Sequence, residues 1–356
     1  MNREWILIAL RFLSAMALFT FLGRSNVWMT PVVATVLVLG YRLGIFLTPV
    51  AIRTFGRMTT TAAFAVAALG SIAWYFGYPA IAAPLAAVGL AISGYLVKAK
   101  ATRSPRGAAL VAVAMNAGSL VAGVVLALGG ESLELVLVGG TAILVLCAVL
   151  ATTVQVEEVK PFRAATASPN GSNVRSLVAW STLGGATGIL VFSIFSVLPQ
   201  TLIPAHGGAL PSWYGWLVSV NAGVIVLFSL PIARWTAKHG LAGGVAPLML
   251  GLAALTLPQF VNMATFPVAF AWVLIISIFE CGLSALDHLA AQDGALLVKE
   301  ACFGIGASLC VLVSRMSSGE MSGVVTGAVG LALAMIGAAA ASKKSQPVAH
   351  PAAANA

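Results

Sequence analysis

Residues 46–58 read FLTPVAIRTFGRM and residues 228–240 read FSLPIARWTAKHG. Each closes an apolar stretch with Pro-x-Ala, then a basic residue, then a glycine. Pro49 and Pro231 stand 231 − 49 = 182 positions apart, close to half of the 356 residues. That spacing reads as an internal duplication: two halves of the same topology, joined in parallel.

The surrounding composition says which solvent these halves meet. Hydrophobic residues make up 60% of the chain and charged residues 8%, whereas soluble domains carry roughly a quarter charged. A water-soluble fold is thereby excluded, because too few polar groups exist to cover its surface. Apolar runs lie near 5–22, 29–50, 59–77, 79–97, 107–129, 133–152, 176–200, 213–233, 241–259, 264–287, 297–315 and 321–341. Each is near the ~20 residues a helix needs to cross a bilayer. None shows the alternation of a barrel strand, and continuous apolar runs satisfy their backbone in lipid only as helices. The expected fold is all-α and polytopic, with about twelve transmembrane helices in two six-helix bundles. The expected divisions are 1–152 and 176–341 for the bundles, 153–175 for a cytoplasmic linker, and 342–356 for a disordered cytoplasmic tail.

Lysines and arginines test the count, since they collect on the cytoplasmic side. With the N-terminus inside, Arg3, Arg53, Arg57, Lys98, Lys100, Arg103, Arg106, Lys160, Arg163, Arg175, Arg234, Lys238, Lys299, Lys343 and Lys344 all fall inside, while only Arg24 and Arg315 fall outside. A missed helix would scramble this asymmetry. The expectation is a bacterial-type inner membrane with both termini cytoplasmic. The net charge of +9 therefore reports topology, and no nucleic-acid partner is expected. Cys147, Cys281, Cys302 and Cys310 sit singly in apolar runs and read as core residues. The N-terminal run, interrupted by Arg11, reads as a retained first helix. Asn170-Gly171-Ser172 matches a glycosylation pattern on a side where it is inert.

Several segments carry a resemblance to the major facilitator superfamily. The loop after the second span resembles that family's signature through Gly56 and Arg57, with Arg53 standing where the signature has Asp. The run YGWLVSVNAGVIVLFSLPIARWTAKHG, with Asn221, Pro231, Arg234 and Gly240, resembles the drug-efflux branch. SIFECGLSALDHLAA resembles the pattern in which an acidic residue, here Glu280, precedes a short loop. The resemblance implies a secondary transporter whose halves rock between inward-open and outward-open states, with Gly56, Arg57, Arg234 and Gly240 as conformational loops. It also implies that helices one and ten border a central cavity and that helices five and eight meet across the halves.

Three charges lie within spans: Arg11, Arg42 and Glu280. A charge at membrane depth costs at least ~2.5–3.5 kcal/mol, so each should face water or a partner. The functional expectation is that the arginines attract an anionic solute, while Glu280 binds a proton as coupling ion or answers an arginine's charge. The alternative is a static Arg–Glu pair that locks one state. Asn116 and Asn221 are read as polar cavity residues or hydrogen-bonding ties between helices, Tyr41 as a candidate cavity aromatic, and Asp287 and His288 as solvated loop residues. Trp28, Trp213, Tyr214 and Trp216 are read as interfacial anchors, and Gly40/Gly44, Gly184/Gly188 and Gly323/Gly327 as close helix contacts.

No phosphate-cradling loop, catalytic triad or metal-ligand cluster is present in the sequence, so an enzyme is not expected, nor any metal or organic cofactor. The expected function is export of a small organic solute, a drug or a metabolite, with an anion such as a carboxylate siderophore in view. The rivals are uptake by the same fold and a non-transporting membrane partner or sensor. The expected partners are the solute and the lipid bilayer, with the chain acting as a monomer.

Overall fold

The computed structural model describes residues 3–23, 31–129, 132–153, 172–208, 210–211, 213–317 and 321–342. Among these the regular structure is wholly helical. The helices are α1 (Arg3–Gly23), α2 (Pro31–Leu43), α3 (Thr48–Phe55), α4 (Thr59–Tyr75), α5 (Pro79–Ala101), α6 (Pro105–Gly129), α7 (Leu133–Thr153), α8 (Ser172–Ala205), α9 (Tyr214–Lys238), α10 (Gly240–Ala254), α11 (Phe266–Cys281), α12 (Ser284–Gln292), α13 (Leu296–Met316) and α14 (Met321–Ser342). Eleven runs among the described residues are long and apolar enough to cross a membrane. One of them, Leu39–Tyr75, is 37 residues long and has room for two passes. It joins the end of the second expected span to the third.

The backbone breaks where the sequence supplies breakers. A short 3-10 turn at Gly44–Leu47 interrupts the second span, and Pro49 opens the next helix. Gly56, with φ +52°, ends α3, and Gly240, with φ +54°, follows α9. Nothing stands within 4 Å of a Cβ at either glycine. Conformation, not space, therefore demands glycine there. The duplicated motif thus turns the chain at both expected points, although Pro231 lies inside a continuous α9 where Pro49 starts a new helix.

The tenth expected span is not continuous. It breaks after Cys281 at the turn Gly282–Leu283 and resumes as α12. α8 begins at Ser172, inside the expected linker. The rest of that linker lies outside the described residues, as do Arg24, Trp28, Lys160, Arg163, Asn170, Gly171, Lys343, Lys344 and the tail.

Among the described residues three apolar clusters form: one between Ile6 and Ala151, a small one of Ala63, Ile92 and Leu96 beside it, and one between Trp180 and Ala334. Lipid-type surface lies outside them, with Leu227 70% and Leu135 59% exposed. Small residues set the closest helix contacts. A Cβ on Gly184, Gly188 or Gly306 would run into the carbonyls of Lys299, Phe303 and Gly185, so α8 and α13 pack backbone to backbone. Gly323 and Gly327 do the same for α14 over Leu255 and Leu252, and Gly40 and Gly44 let α2 and its turn lie on Ala87 and Val88 of α5. Between the two halves, the broadest contact is α6 on α9, joined by α6 with α12 and α2 with α13.

A candidate anion site above a closed ion-pair cluster

α1 and α5 run antiparallel, and Gly94 on α5 leaves room for the Arg11 guanidinium. A Cβ on Gly94 would stand 2.7 Å from Arg11 Nη1 and 3.8 Å from the Tyr41 hydroxyl. Arg11 Nη2 donates to the Met115 sulfur at 3.0 Å, while its Nε is buried without a partner. Arg11, Ser14, Tyr41 and Met115 line a small cavity with Ala15 and Leu18.

Arg42 is placed by a second glycine. Its stem rests on Gly304 of α13, where a Cβ would stand 2.5 Å from Arg42 Cβ and 2.8 Å from Cδ. Three rings face the guanidinium carbon: Tyr41 at 5.0 Å, Phe192 at 4.9 Å and Phe303 at 4.6 Å. Two of these rings come from the other half, so cation–π attraction holds an arginine of the first half against α8 and α13 of the second. Arg42 Nε too is buried and unpartnered. Neither arginine forms an ion pair with a carboxylate among the described residues.

One turn away, about 6 Å along both helices, the charges are all paired. Lys98 follows Gly94 by four residues on α5, and Glu300 precedes Gly304 by four on α13. Lys98 Nζ meets Asp287 Oδ2 at 2.9 Å and Glu300 Oε1 at 2.7 Å. Lys299 Nζ meets Asp287 Oδ1 at 2.5 Å and lies 3.7 Å from Glu300 Oε1. Lys299 is 1% exposed. Two positive and two negative groups make the cluster neutral, and Lys98 is its sole member from the first half. Beside it His288 Nδ1 donates to the Thr102 carbonyl at 3.0 Å, and Trp180 Nε1 donates to Asp293 at 3.0 Å. The cluster therefore closes the halves together at the end of the bundle that carries Gly56 and Lys238.

The expectation that Asp287 and His288 are solvated loop residues is overturned. α12 follows the turn at Gly282–Leu283 and carries both side chains against the first half, Asp287 on Lys98 and His288 on the Thr102 carbonyl. Phe303, Glu300, Gly94 and Gly304 were not singled out by the sequence. Their signal was positional, four residues from another charge or beside a charge within a span, and it needs the helix pairing to be read.

Glu280 stands apart from the arginines. It is 7% exposed, on the last turn of α11, and its Oε2 accepts from Asn221 Nδ2 at 3.0 Å. Asn221 Nδ2 also donates to Ser277 Oγ at 3.0 Å. Glu280 Oε1 is buried with no partner. A static pair of Glu280 with Arg11 or Arg42 is therefore not what this structure contains. Asn221 ties α9 to α11 within the second half, not to α6 across the halves. Asn116 does not serve as such a tie: its Nδ2 donates to Ala112 O of its own helix at 2.9 Å. Arg57 and Arg234 are exposed at their turns. Tyr214 donates to Ile194 O at 3.2 Å, and Trp216 is 71% exposed.

In backbone geometry the chain is similar to the human organic anion transporter MFSD10 (TETRAN), with a TM-score of 0.68 at 14% identity over 94% of this chain and 98% of that one. It is also similar to FucP, a major facilitator superfamily transporter in the outward conformation, with a TM-score of 0.64 at 11% identity over 95% of this chain and 99% of that one. No protein-family model and no curated protein matches the sequence. The likeness is one of fold: the chain has the architecture of the major facilitator transporters.

Proposed function

We propose that the chain is a secondary transporter of the major facilitator type that exports a small organic anion by alternating access. The observation that carries this reading is the pair Arg11, buried within the first half, and Arg42, half-buried against rings of both halves, neither of them in an ion pair with a carboxylate among the described residues. Leaving two guanidiniums unpaired at membrane depth is costly. An anion that reaches the guanidiniums as the halves open offsets that cost, and a neutral solute does not.

The likeness to an organic anion transporter supports the same solute class, and the resemblance of α9 to the efflux branch supports export. On this reading a carboxylate metabolite is favoured over a lipophilic drug. With the lysine-rich end in the cytoplasm, the ion-pair cluster is the inner gate, closed here, and Gly56, Arg57, Arg234 and Gly240 form the turns about which the halves rock. Transport is coupled to an ion through Glu280, and the chain works as a monomer in the inner membrane.

Cells overexpressing the protein and supplied with radiolabelled benzoate test the reading. Export predicts that intracellular label falls below that of cells carrying Arg42→Gln. A rise would mean uptake by the same site, and identical levels in both strains would remove the arginines from function.

A further inference from the structure

Arg11 borders a cavity that lies wholly within the first half. Ser14, Phe19, Tyr41, Leu90 and Met115 line it with the arginine, and neither Arg42 nor any carboxylate does. Arg11 is 8% exposed, and its Nε is buried without a partner. Nη2 reaches the Met115 sulfur at 3.0 Å, a weak and uncharged acceptor. The Ser14 hydroxyl gives its proton to the Arg11 carbonyl at 3.1 Å. The wall thus offers a positive charge and no negative one.

Two donors of this wall come together over Gly94. From the place of a Cβ on that glycine, Arg11 Nη1 lies 2.7 Å away and the Tyr41 hydroxyl 3.8 Å, so the two are no more than 2.7 plus 3.8 Å apart. One acceptor atom at ordinary hydrogen-bond lengths bridges donors separated by up to roughly 6 Å, and a halide, larger than oxygen, reaches further. The volume decides the kind of acceptor. The cavity measures about 10 Å³, the scale of a single water-sized particle. A chloride ion is only slightly larger than a water molecule, whereas an organic carboxylate brings a carbon skeleton for which the closed cavity has no room. Water would fill the space and leave the guanidinium at membrane depth without a counter-charge, the costlier state.

We infer that the cavity of Arg11, Tyr41 and Met115 is a chloride site, filled while the halves are closed, with the Arg11 guanidinium supplying the charge and the Tyr41 hydroxyl the second donor. The site rests on the organic-anion reading only in its last step: an organic anion that reaches Arg11 as the halves open takes the chloride's place. Arg42, outside this cavity, stays with the organic anion.

Equilibrium binding of 36Cl⁻ to the full-length protein in detergent, with no organic anion present, tests the site separately from transport. Wild type is expected to bind 36Cl⁻ saturably, Tyr41→Phe about tenfold more weakly for the loss of one hydrogen bond to a charge, and Arg11→Gln not at all. Arg42→Gln should still bind it. Thermal melts at fixed pH and ionic strength give a second readout that needs no variant: sodium chloride should raise the wild-type melting temperature above its value in sodium gluconate, whose anion is too large to enter. Absence of saturable 36Cl⁻ binding in wild type would leave only a water in the cavity and overturn the site. So would equal binding by Arg11→Gln, or equal melting of wild type in the two salts. Chloride binding without any benzoate export would keep this site and sink the transport reading, and benzoate export without chloride binding would do the reverse.

Discussion

The ion-pair cluster and the arginine level are one helical turn apart and treat charge in opposite ways. Lys98, Asp287, Lys299 and Glu300 satisfy one another across the halves and sum to zero. Arg11 and Arg42 have rings, a sulfur and glycines around them and no carboxylate paired with either. A neutral closed network needs nothing further and holds one conformation. On the proposed reading the unpaired cations are completed by an arriving anion, with recognition above and closure below.

Removing the cations above should have the largest consequence. Arg42→Gln together with Arg11→Gln is expected to lower organic-anion flux in proteoliposomes at least ~100-fold, about 3 kcal/mol, within the range for losing a buried charge partner. Arg42→Lys should recover only part of it, because an ammonium does not reproduce the flat stacking on Phe192 and Phe303.

Removing the lower cation should act on conformation. Lys98→Ala deletes the ion pairs that Lys98 makes with Asp287 and Glu300 across the halves and leaves Lys299 to serve both carboxylates. Amide exchange in α12 and at the end of α5 should quicken about tenfold, as expected for the loss of ~1.4 kcal/mol of closure. The exchanged pair Lys98→Glu with Glu300→Lys should slow it again. Unchanged exchange in Lys98→Ala would mean that the cluster does not hold the halves closed.

Two glycine substitutions sharpen the contrast without touching a charge. Gly304→Ala puts a methyl group where the Arg42 stem lies and should weaken anion affinity by about tenfold. Gly56→Ala meets no atom and costs only its positive φ, roughly 1 kcal/mol of stability, with affinity unchanged. The smallest effect belongs to Asn116→Ala. Its hydrogen bond stays within α6, so a loss of no more than about 1 kcal/mol in thermal stability is expected. Asn221→Ala should exceed it, since Glu280 then loses its one side-chain donor.

What the sequence made legible follows from which signals are local. Hydropathy and the Pro49/Pro231 spacing announced the helices and the duplication, because each depends on neighbouring residues or on a repeat. Arg11, Arg42 and Glu280 stood out because a charge in an apolar run is visible without any partner. The cluster below them was not legible, because Lys98 meets residues nearly two hundred positions later and Asp287 sits just beyond an apolar run whose end hydropathy places only loosely. Asp287 and His288 lie at the closed interface and not in the expected solvent, because α12 packs them against Lys98 and the Thr102 carbonyl. The two asparagines looked equivalent in sequence, and their different partners were decided by packing: Asn221 has α11 within reach, and Asn116 turns back to its own helix.

Equilibrium binding of benzoate and of benzamide, matched in shape and differing in charge, tests the central claim most directly. The wild-type protein should bind benzoate and discriminate against benzamide by at least tenfold, and Arg42→Gln should lose that discrimination. Equal binding of both compounds by wild type, or benzoate binding by Arg42→Gln at wild-type strength, would contradict the assignment of the two arginines as the anion site.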